Sequence, residues 1–405
     1  MTFVSRTLSQ MADIFKPQQK AIIDLLSAMM CFSGRATMRN LSRYGAGSAK
    51  RLRRWATKGF DFFLFNELIL SSSQALSFDR NDLQRPQQAI IIDATFAQKS
   101  GRYTEGLGYF HNSCSTSAHK LERGLEFTLF AGLNMDEKRA YALKAIQTQG
   151  GQSALQAAID ELTTSREYYL GISKYVLADG YYAKNSFISE VTQGGFEVVT
   201  LLRRDAVLRY LYTGAYSGRG RPKRYAGRVD YNELSDWERH EDLADDDLTA
   251  YSKVVNYRAW KRDLNVLVIV NRSGAHRVLC CTDLTLNATE ILRLYQQRFK
   301  IEFLFRDGKQ NTGLGHAQTL DADGQEYFAN SSFATLNILR LEERERMMKD
   351  DGLLLDQTSS IRSLKVCKHN KLILDRFIVM LGEDRDNEKV REAYEEASKV
   401  GMVAA

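Results

Sequence analysis

Proline, tryptophan and cysteine are scarce in this sequence, which has three prolines, three tryptophans and five cysteines among 405 residues. The cysteines form no C-x-x-C pair and no zinc-finger spacing, and the six histidines form no H-E-x-x-H pattern, so the common thiolate and histidine metal sites are excluded. Cys280 and Cys281 are adjacent in an apolar run, where successive side chains of a strand point to opposite faces. We interpret them as buried thiols of a protein in a reducing compartment.

Long hydrophobic runs are also missing. No segment reaches the ~18 apolar residues of a membrane span, and the best apolar stretch near the N-terminus, 21–32, contains Asp24. The N-terminus lacks the layout of a signal peptide. No G-x-x-x-x-G-K-[ST] motif occurs, which excludes the common ATP-binding loop. The sequence therefore predicts a cytoplasmic protein with no membrane partner and no ATP-driven chemistry.

What the chain does have is an uneven distribution of charge. Its net charge is +6, and its 44% hydrophobic and 26% charged residues are ordinary for a globular protein of two or three domains. Residues 31–60 carry eight cations and no acid, and residues 203–228 carry eight cations against Asp205 alone. An acidic tract at 233–247 follows, which we interpret as a solvated face. The two basic segments favour a polyanionic partner.

The N-terminal part, 1–85, has helical periodicity. Segments 36–44 and 48–58 flank the break Gly45-Ala46-Gly47, and Ser48 is a suitable N-cap for the second segment. Two short helices around a glycine-containing turn predict a helix-turn-helix that binds DNA. Its DNA contacts would be Arg51, Arg53 and Arg54. A helical bundle with a basic solvated face is the alternative.

After Pro86 the sequence pattern changes to short β-branched segments, typical of strands, that alternate with helical segments. This pattern predicts an α/β core over 86–202. The β-branched segments 89–96 and 196–202 read as strands of that core. A β-rich insertion is predicted over 203–285, with a hairpin formed by 264–270 and 277–282. Residues 286–320 would complete the core with a helix capped by Asn287. A helical region, 321–405, ends the chain.

A Gly/Arg loop, S-G-R-G-R-P-K-R-Y, opens the insertion. It is similar to the Arg-Gly-Arg-Pro cores that lie in A·T-rich minor grooves, where glycine permits close approach and arginine enters a narrow, negative groove. Arg219, Arg221 and Lys223 would then be DNA contacts. A generic phosphate-contacting loop or a solvated connector remains open as the alternative.

The segment 295–309 reads Y-Q-Q-R-F-K-I-E-F-L-F-R-D-G-K. On an α-helix, the spacing of Tyr295, Arg298, Glu302 and Lys309 brings the four side chains within an arc of roughly 60°. One face then offers a carboxylate that can bind metal, two cations that can bind phosphate, and a phenol. This combination is suited to phosphodiester chemistry.

Two aspartates lie on apolar strand segments upstream. Asp93 follows Ile90-Ile91-Ile92, and Asp179 follows Val176-Leu177-Ala178. A carboxylate in a central strand is costly to bury unless it is paired or binds a metal. With Glu302, the two aspartates would make an oxygen-rich site for Mg²⁺ or Mn²⁺, and two such ions can drive an in-line displacement at phosphorus. A turn or cap role is the alternative for either aspartate alone.

The order Asp93, Asp179, Glu302, with Tyr295, Arg298 and Lys309 around the glutamate, resembles the DDE transposases of bacterial insertion sequences that carry the Y-x2-R-x3-E-x6-K signature. The resemblance covers about 89–315. It implies a ribonuclease H-like core interrupted by a β-rich insertion, with an N-terminal helical DNA-binding domain. It also implies cut-and-paste transposition at inverted-repeat ends, by two-metal hydrolysis and strand transfer.

Carried onto this sequence, the resemblance implies that Asp93, Asp179 and Glu302 bind two Mg²⁺ or Mn²⁺ ions. Tyr295, Arg298 and Lys309 would hold the phosphates of the cleaved end, with Arg306 as a fourth contact. The partners would be double-stranded element ends and target DNA, bound by a homodimer associated with the nucleoid.

Several relatives in this family pass through a DNA hairpin and stack a flipped base on a tryptophan of the insertion. Trp237 and Trp260 are the residues here that could do so, and a core role is the alternative for each. Two other functions stay open. The chain could be a transposase-derived DNA-binding regulator without catalysis, or a metal-dependent DNA endonuclease without strand transfer.

Overall fold

The computed structural model describes residues 2–45, 47–79, 86–112, 115–116, 119–216, 218, 220–243, 247–349, 359–384 and 387–402. Across those ranges, no helix is long and apolar enough to cross a membrane. The first part of the chain is helical, as predicted, and forms α1 (Thr2–Gln10), α2 (Lys16–Cys31), α3 (Met38–Leu41), α4 (Ala49–Ala56) and α5 (Phe62–Ser72).

Helices α3 and α4 occupy the two segments predicted to flank a glycine-containing turn. Each begins at a hydroxyl N-cap: Thr37 accepts a hydrogen bond from the Asn40 N–H, and Ser48 accepts one from the Arg51 N–H, both at 3.2 Å. The predicted cap at Ser48 is therefore confirmed. Helix α3 is shorter than predicted, with only four residues.

The region 86–202 contains both strands and helices, as predicted for an α/β core, but its first four strands follow one another without a helix between them. Its elements are β1 (Gln88–Gln98), β2 (Gly108–His111), β3 (Leu121–Asn134), β4 (Arg139–Gln147), α6 (Ala154–Thr164), α7 (Arg166–Leu170), β5 (Tyr175–Leu177), α8 (Asn185–Gln193) and β6 (Glu197–Leu202). The pattern of residues 136–166 predicts a helix throughout, which is wrong for the first part, where β4 extends the sheet. The segment 203–285 is rich in strands, also as predicted. It contains β7 (Leu208–Leu211), β8 (Tyr225–Arg228), β9 (Glu238–His240), β10 (Leu248–Tyr257), β11 (Arg262–Asn271) and β12 (His276–Cys281).

The twelve strands in the described ranges belong to one sheet, whose main path is β2-β3-β1-β5-β6-β12-β11-β10-β7-β8, with β4 on β3 and β9 on β10. Strand β1 runs parallel to β5 (Ile90 opposite Val176) and antiparallel to β3. Strand β12 pairs antiparallel with β6, so the insertion continues the core sheet through hydrogen bonds. The result is a mixed α/β fold with one large sheet, consistent with a ribonuclease H-like core. The hairpin of β11 and β12 confirms the predicted one.

The segment that carries Glu302 is not one continuous α-helix. It consists of α9 (Ala288–Gln297), α10 (Lys300–Asp307) and a π-helical turn (Gly308–Thr312). Between α9 and α10 the backbone tightens, because the Arg298 N–H donates to the Tyr295 carbonyl and the Glu302 N–H to the Phe299 carbonyl, both at 3.0 Å. Lys309 therefore lies on the wider π turn, not on the α-helical face that the spacing alone assumed.

Three helices complete the chain: α11 (Ala322–Lys349), α12 (Ile361–Leu381) and α13 (Glu388–Ser398). Helix α11 covers the edge strand β4. The Asn337 side chain accepts from the Ala142 N–H at 3.0 Å and donates to the Ala142 carbonyl at 2.7 Å, and Asn330 does the same at Ala145. These amides satisfy backbone groups that an open edge would expose. Asn337 also donates to the buried Asn66 of α5 at 3.0 Å.

The N-terminal helices share one hydrophobic core with the sheet. Residues as far apart in the chain as Leu8, Phe65, Ile91 and Phe333 are fully or almost fully buried in the same cluster. The N-terminal segment packs closely on Gly313, which ends the π turn with φ +85°. A Cβ built there would lie 2.3 Å from the Cβ of Ala36, so only glycine fits.

Candidate active site

Asp93 lies in the middle of β1, where the pattern of burial changes. Ile90, Ile91 and Ile92 are fully buried, whereas the Asp93 side chain is 22% exposed. One of its carboxylate oxygens accepts a hydrogen bond from the Ala94 N–H at 2.8 Å. The strand therefore holds this carboxylate at a partly open point of the sheet.

Asp179 lies just beyond the end of β5, the parallel neighbour of β1. Its Oδ1 accepts a hydrogen bond from the Tyr181 N–H at 2.9 Å. The Thr200 hydroxyl on β6 donates to the Asp179 carbonyl at 3.0 Å, which anchors the backbone at this point. The parallel pairing of β1 with β5 thus brings the two aspartates to the same region.

Glu302 and Arg298 come to this region from the α9–α10 segment. The Arg298 guanidinium lies 3.5 Å from Asp93 Oδ2 through Nη1 and 3.4 Å from Glu302 Oε1 through Nη2. The Arg298 side chain is only 16% exposed, whereas Glu302 is 58% exposed. A largely buried cation therefore links the strand carboxylate to the helix carboxylate.

The pKa of Asp93 shows how crowded the site is with negative charge. Burial and the nearby Asp179 carboxylate raise this pKa to about 7, with a smaller contribution from Glu302. The Ala94 N–H and Arg298 act in the opposite direction. Asp93 thus lies within electrostatic reach of both Asp179 and Glu302.

The donor set suits a hard divalent cation, because all three groups are carboxylates. Even so, among the residues that the structure describes, no group of three or more histidine, cysteine or acidic side chains could hold a metal ion as they stand. Arg298 lies in contact with both Asp93 and Glu302, and its guanidinium balances their charge. The three carboxylates are chemically suitable ligands for a metal ion. A metal ion would have to compete with Arg298 for Asp93 and Glu302.

The other signature residues differ in their surroundings. The Arg298 guanidinium carbon lies 5.9 Å from the centre of the Tyr295 ring, and burial raises the pKa of the Tyr295 hydroxyl. Arg306 is 54% exposed, pairs with Asp307 at 3.3 Å and lies 4.8 Å from the centre of the Phe303 ring. Lys309 is exposed on the π turn.

The predicted DNA contacts of the N-terminal helices differ in their surroundings. Arg51 forms an ion pair with Asp24 of α2, which ties α4 to α2. Arg53 and Arg54 are exposed. Arg53 also lines a cavity of about 360 Å³ between α3 and α4 and the segment 317–319. Of these three arginines, Arg53 and Arg54 present their charge to solvent, whereas Arg51 is partly buried against Asp24.

In the Gly/Arg loop, Arg219 lies outside the described residues. Arg221 and Lys223 are exposed, and the Lys223 ammonium lies 5.0 Å from the centre of the Tyr212 ring. The two tryptophans of the insertion are buried. Trp237 donates a hydrogen bond to the Tyr210 hydroxyl at 3.2 Å, and Trp260 packs edge-on against Tyr257 at 4.9 Å. A base could stack on either ring only after the insertion opened.

Tyr182 is a residue of this site that the sequence did not reveal. Its side chain is 1% exposed, and its hydroxyl has no hydrogen-bond partner among the described residues. Burial raises the pKa of Tyr182 well above its usual value, and the charges of Asp93 and Asp179 act in the same direction. The hydroxyl thus lies close to both aspartates. The only signal in the sequence is its position three residues after Asp179, in D-G-Y-Y.

The mixed α/β fold with one large sheet is consistent with a ribonuclease H-like core of the kind found in transposases. Comparison with known families agrees. A family model described as Transposase DDE domain matches residues 84–338, a span that includes Asp93, Asp179 and Glu302. The match covers more than half of the chain, so the protein belongs to the DDE transposase family, whose partner is DNA. A comparison with curated proteins found no match.

Proposed function

We propose that this transposase performs cut-and-paste transposition of a bacterial insertion sequence of the Y-x2-R-x3-E-x6-K type. The observation that carries the proposal is the contact of Arg298 with both Asp93 and Glu302, beside Asp179. This arrangement pairs carboxylates that suit metal ions with a cation that suits phosphate. The substrates would be the inverted-repeat ends of the element and then its target DNA.

In this proposal Asp93, Asp179 and Glu302 hold two Mg²⁺ or Mn²⁺ ions. When bound, the ions supply an activated attacking oxygen and stabilise the leaving oxygen. Arg298 gives up its contacts with the carboxylates and turns to a DNA phosphate. Tyr295, whose ring centre lies 5.9 Å from the Arg298 guanidinium carbon, would stay beside the guanidinium as it turns.

Outside the centre, several cations would position the DNA through its phosphates. These are Arg306, Lys309, Arg53, Arg54, Arg219, Arg221 and Lys223. Arg51 would support the N-terminal helices through Asp24 rather than touch DNA. The two ends of an element are related by symmetry, so a homodimer would hold one end in each subunit. We place the protein in the cytoplasm, on the nucleoid when bound.

We retain the sequence-based division into an N-terminal DNA-binding region, 1–85, a core, 86–202 and 286–320, an insertion, 203–285, and a C-terminal region, 321–405. The insertion would contact DNA through its Gly/Arg loop. A hairpin step with a base stacked on Trp237 or Trp260 would require the insertion to open, because both rings are buried.

The test uses a linear DNA that carries both ends of the element encoding the chain. With Mg²⁺, the wild type should cut at the ends and join them to a plasmid target, and Glu302→Gln should bind the ends without cutting. Glu392→Gln on α13 is the matched control, because Glu392 is exposed, far along the chain from the site, and loses the same charge.

Three outcomes decide among the functions. Cutting that survives Glu302→Gln would remove Glu302 from the catalytic centre. Cutting by the wild type without joining would favour the endonuclease. Binding of the ends without any cutting by the wild type, with either metal, would favour the regulator.

A further inference from the structure

A second basic site lies beside α10. It is a cavity of about 430 Å³ between the turn that joins β3 to β4 and the helices α10 and α11. We call it the basic pocket. The cations that line it are Lys138, Arg139, Lys300, Arg306 and Arg340. Two acids, Glu137 and Asp307, also line it.

Both acids are engaged within the protein. Glu137 forms an ion pair with Arg344, with Nε 2.9 Å from Oε1, and accepts a hydrogen bond from the Tyr141 hydroxyl at 2.6 Å. Asp307 pairs with Arg306 at 3.3 Å. Neither carboxylate is therefore left to balance the other cations of the basic pocket.

Arg340, another cation of the pocket, also has partners within the protein. Arg340 donates to Glu343 at 2.9 Å and to the Ser359 carbonyl at 2.6 Å. Arg139 forms a hydrogen bond with the Tyr141 hydroxyl, which leaves its charge unbalanced. Lys138, Arg139 and Lys300 form no ion pair with any residue in the described ranges. Three like charges thus converge on one cavity, which is unfavourable for the protein alone.

The geometry of the turn and of Lys300 keeps these charges together. Lys138 has φ +48°, an uncommon conformation for a residue with a side chain. Asn134 Oδ1 fixes the turn by accepting from the Asp136 and Glu137 N–H groups at 3.0 and 2.9 Å. Lys300 lies 5.6 Å from the centre of the Phe303 ring, which holds its ammonium beside the pocket.

We propose that the basic pocket binds backbone phosphates of the DNA whose strand is cut at the Glu302 centre. Lys138 and Arg139 of the turn, with Lys300 of α10, would grip the backbone beyond the point held by Arg298. Arg306 lines the pocket and follows Glu302 by four residues, which puts both on one face of α10, so DNA at the centre passes within reach of the pocket. The inference rests on the proposed function and adds a contact surface to it.

The experiment measures binding of a fluorescent 40-base-pair random-sequence duplex, in Ca²⁺ to suppress cutting, over a range of salt concentrations. The test variant is Lys138→Gln, Arg139→Gln, Lys300→Gln. The control variant is Lys389→Gln, Arg391→Gln, Lys399→Gln, which removes the same charge from exposed positions on and just after α13. Thermal unfolding of each variant checks that the fold is kept.

The pocket variant should bind DNA about tenfold or more weakly at low salt. Its plot of log affinity against log salt should be shallower by about 0.9 for each phosphate that the variant no longer neutralises, and so by roughly two to three. The control variant should keep the wild-type slope. Inorganic phosphate in the assay, at matched ionic strength, distinguishes a DNA site from a site for free phosphate.

If the wild type binds DNA and the folded pocket variant shows the same salt slope, the proposal that the basic pocket binds DNA is wrong. The proposed function is not affected by that result. The proposal for the pocket is also wrong if the affinity of the control variant for DNA falls as far as that of the pocket variant. Strong competition by inorganic phosphate in the wild type but not in the pocket variant would assign the pocket to free phosphate instead. A wild type that does not bind DNA would overturn both the pocket and the proposed function.

Discussion

The guanidinium of Arg298 lies between Asp93 and Glu302, 3.5 Å from one carboxylate and 3.4 Å from the other. Arg298 is the most buried of the three side chains, so its charge is poorly screened by water. The arginine and a divalent cation would therefore compete for the same two carboxylates. DNA would relieve this competition by offering Arg298 a phosphate.

This relationship predicts the behaviour of Arg298→Ala without DNA. Removal of the competing cation should tighten binding of Mn²⁺ by roughly three- to tenfold, which corresponds to about 1 kcal/mol. Calorimetric titration with Mn²⁺ measures the change. Arg293→Ala is the control, because Arg293 pairs with Glu290 on α9 and should leave Mn²⁺ binding unchanged. Weaker binding of Mn²⁺ by Arg298→Ala would contradict the competition.

A second prediction concerns pH. Because the pKa of Asp93 is raised from 3.8 to about 7, the folded protein retains a proton there that the unfolded chain has lost. The free energy of unfolding contributed by this group is therefore lost as pH rises from ~4 to ~7. Chemical denaturation in EDTA should show that the free energy of unfolding of the wild type is lower at pH 8 than at pH 5. In Asp93→Asn this decrease should be smaller by ~1–3 kcal/mol.

The control for this measurement is Asp13→Asn, an exposed carboxylate in the segment between α1 and α2. It should keep the wild-type dependence on pH. If Asp93→Asn kept that dependence as well, another group would be responsible for it.

Tyr182 allows a third prediction. A buried hydroxyl without a partner costs about 1–3 kcal/mol, so Tyr182→Phe should stabilise the metal-free protein, by ~0.5–1.5 kcal/mol allowing for relaxation of the site. Tyr169→Phe is the matched control, because the buried Tyr169 hydroxyl donates to Glu161 at 3.1 Å and its loss should destabilise the protein. Destabilisation by both changes would mean that Tyr182 has a partner, such as a buried water.

Gly313 gives a fourth prediction. Gly313→Ala introduces a Cβ 2.3 Å from that of Ala36 at a residue with φ +85°, whereas Gly274→Ala meets a similar φ of +78° with no atom within 4 Å. Gly274→Ala should cost about 1 kcal/mol for its backbone conformation alone. Gly313→Ala should cost roughly 2–4 kcal/mol, because the N-terminal segment must also move. Equal destabilisation by the two variants would argue against close packing of Ala36 on the π turn.

The fifth prediction separates the basic residues of α4. Arg53→Gln with Arg54→Gln should weaken DNA binding and make its salt dependence shallower by about two, without loss of stability. Arg51→Gln should instead destabilise the protein by roughly 1–2 kcal/mol, because it leaves Asp24 without its partner. Salt titrations and thermal unfolding of both variants check this division. If the Arg51→Gln protein is stable but binds DNA more weakly, Arg51 is a DNA contact and not a structural residue.

Most of the local structure could be predicted from the sequence, because it depends on neighbouring residues. The apolar run before Asp93 identified β1, and Asn287 and Ser48 marked the starts of α9 and α4, where both accept the expected cap hydrogen bonds. The alternation of strands and helices over 86–202 indicated the α/β class. The order of the two aspartates and the glutamate indicated the family.

The tertiary structure alone decided what each of these side chains touches. Arg51 and Arg53 look equivalent in the sequence, and only the packing of α2 against α4 assigns Arg51 to Asp24. The burial of Trp237, the buried hydroxyl of Tyr182 and the meeting of Lys138 with Lys300 depend on segments far apart in the chain. Spacing along a helix indicates which residues share a face. Spacing does not specify which residues of other elements a side chain contacts, and contact energies depend on those partners. For this reason the contact of Arg298 with Asp93 was decided by the tertiary structure alone.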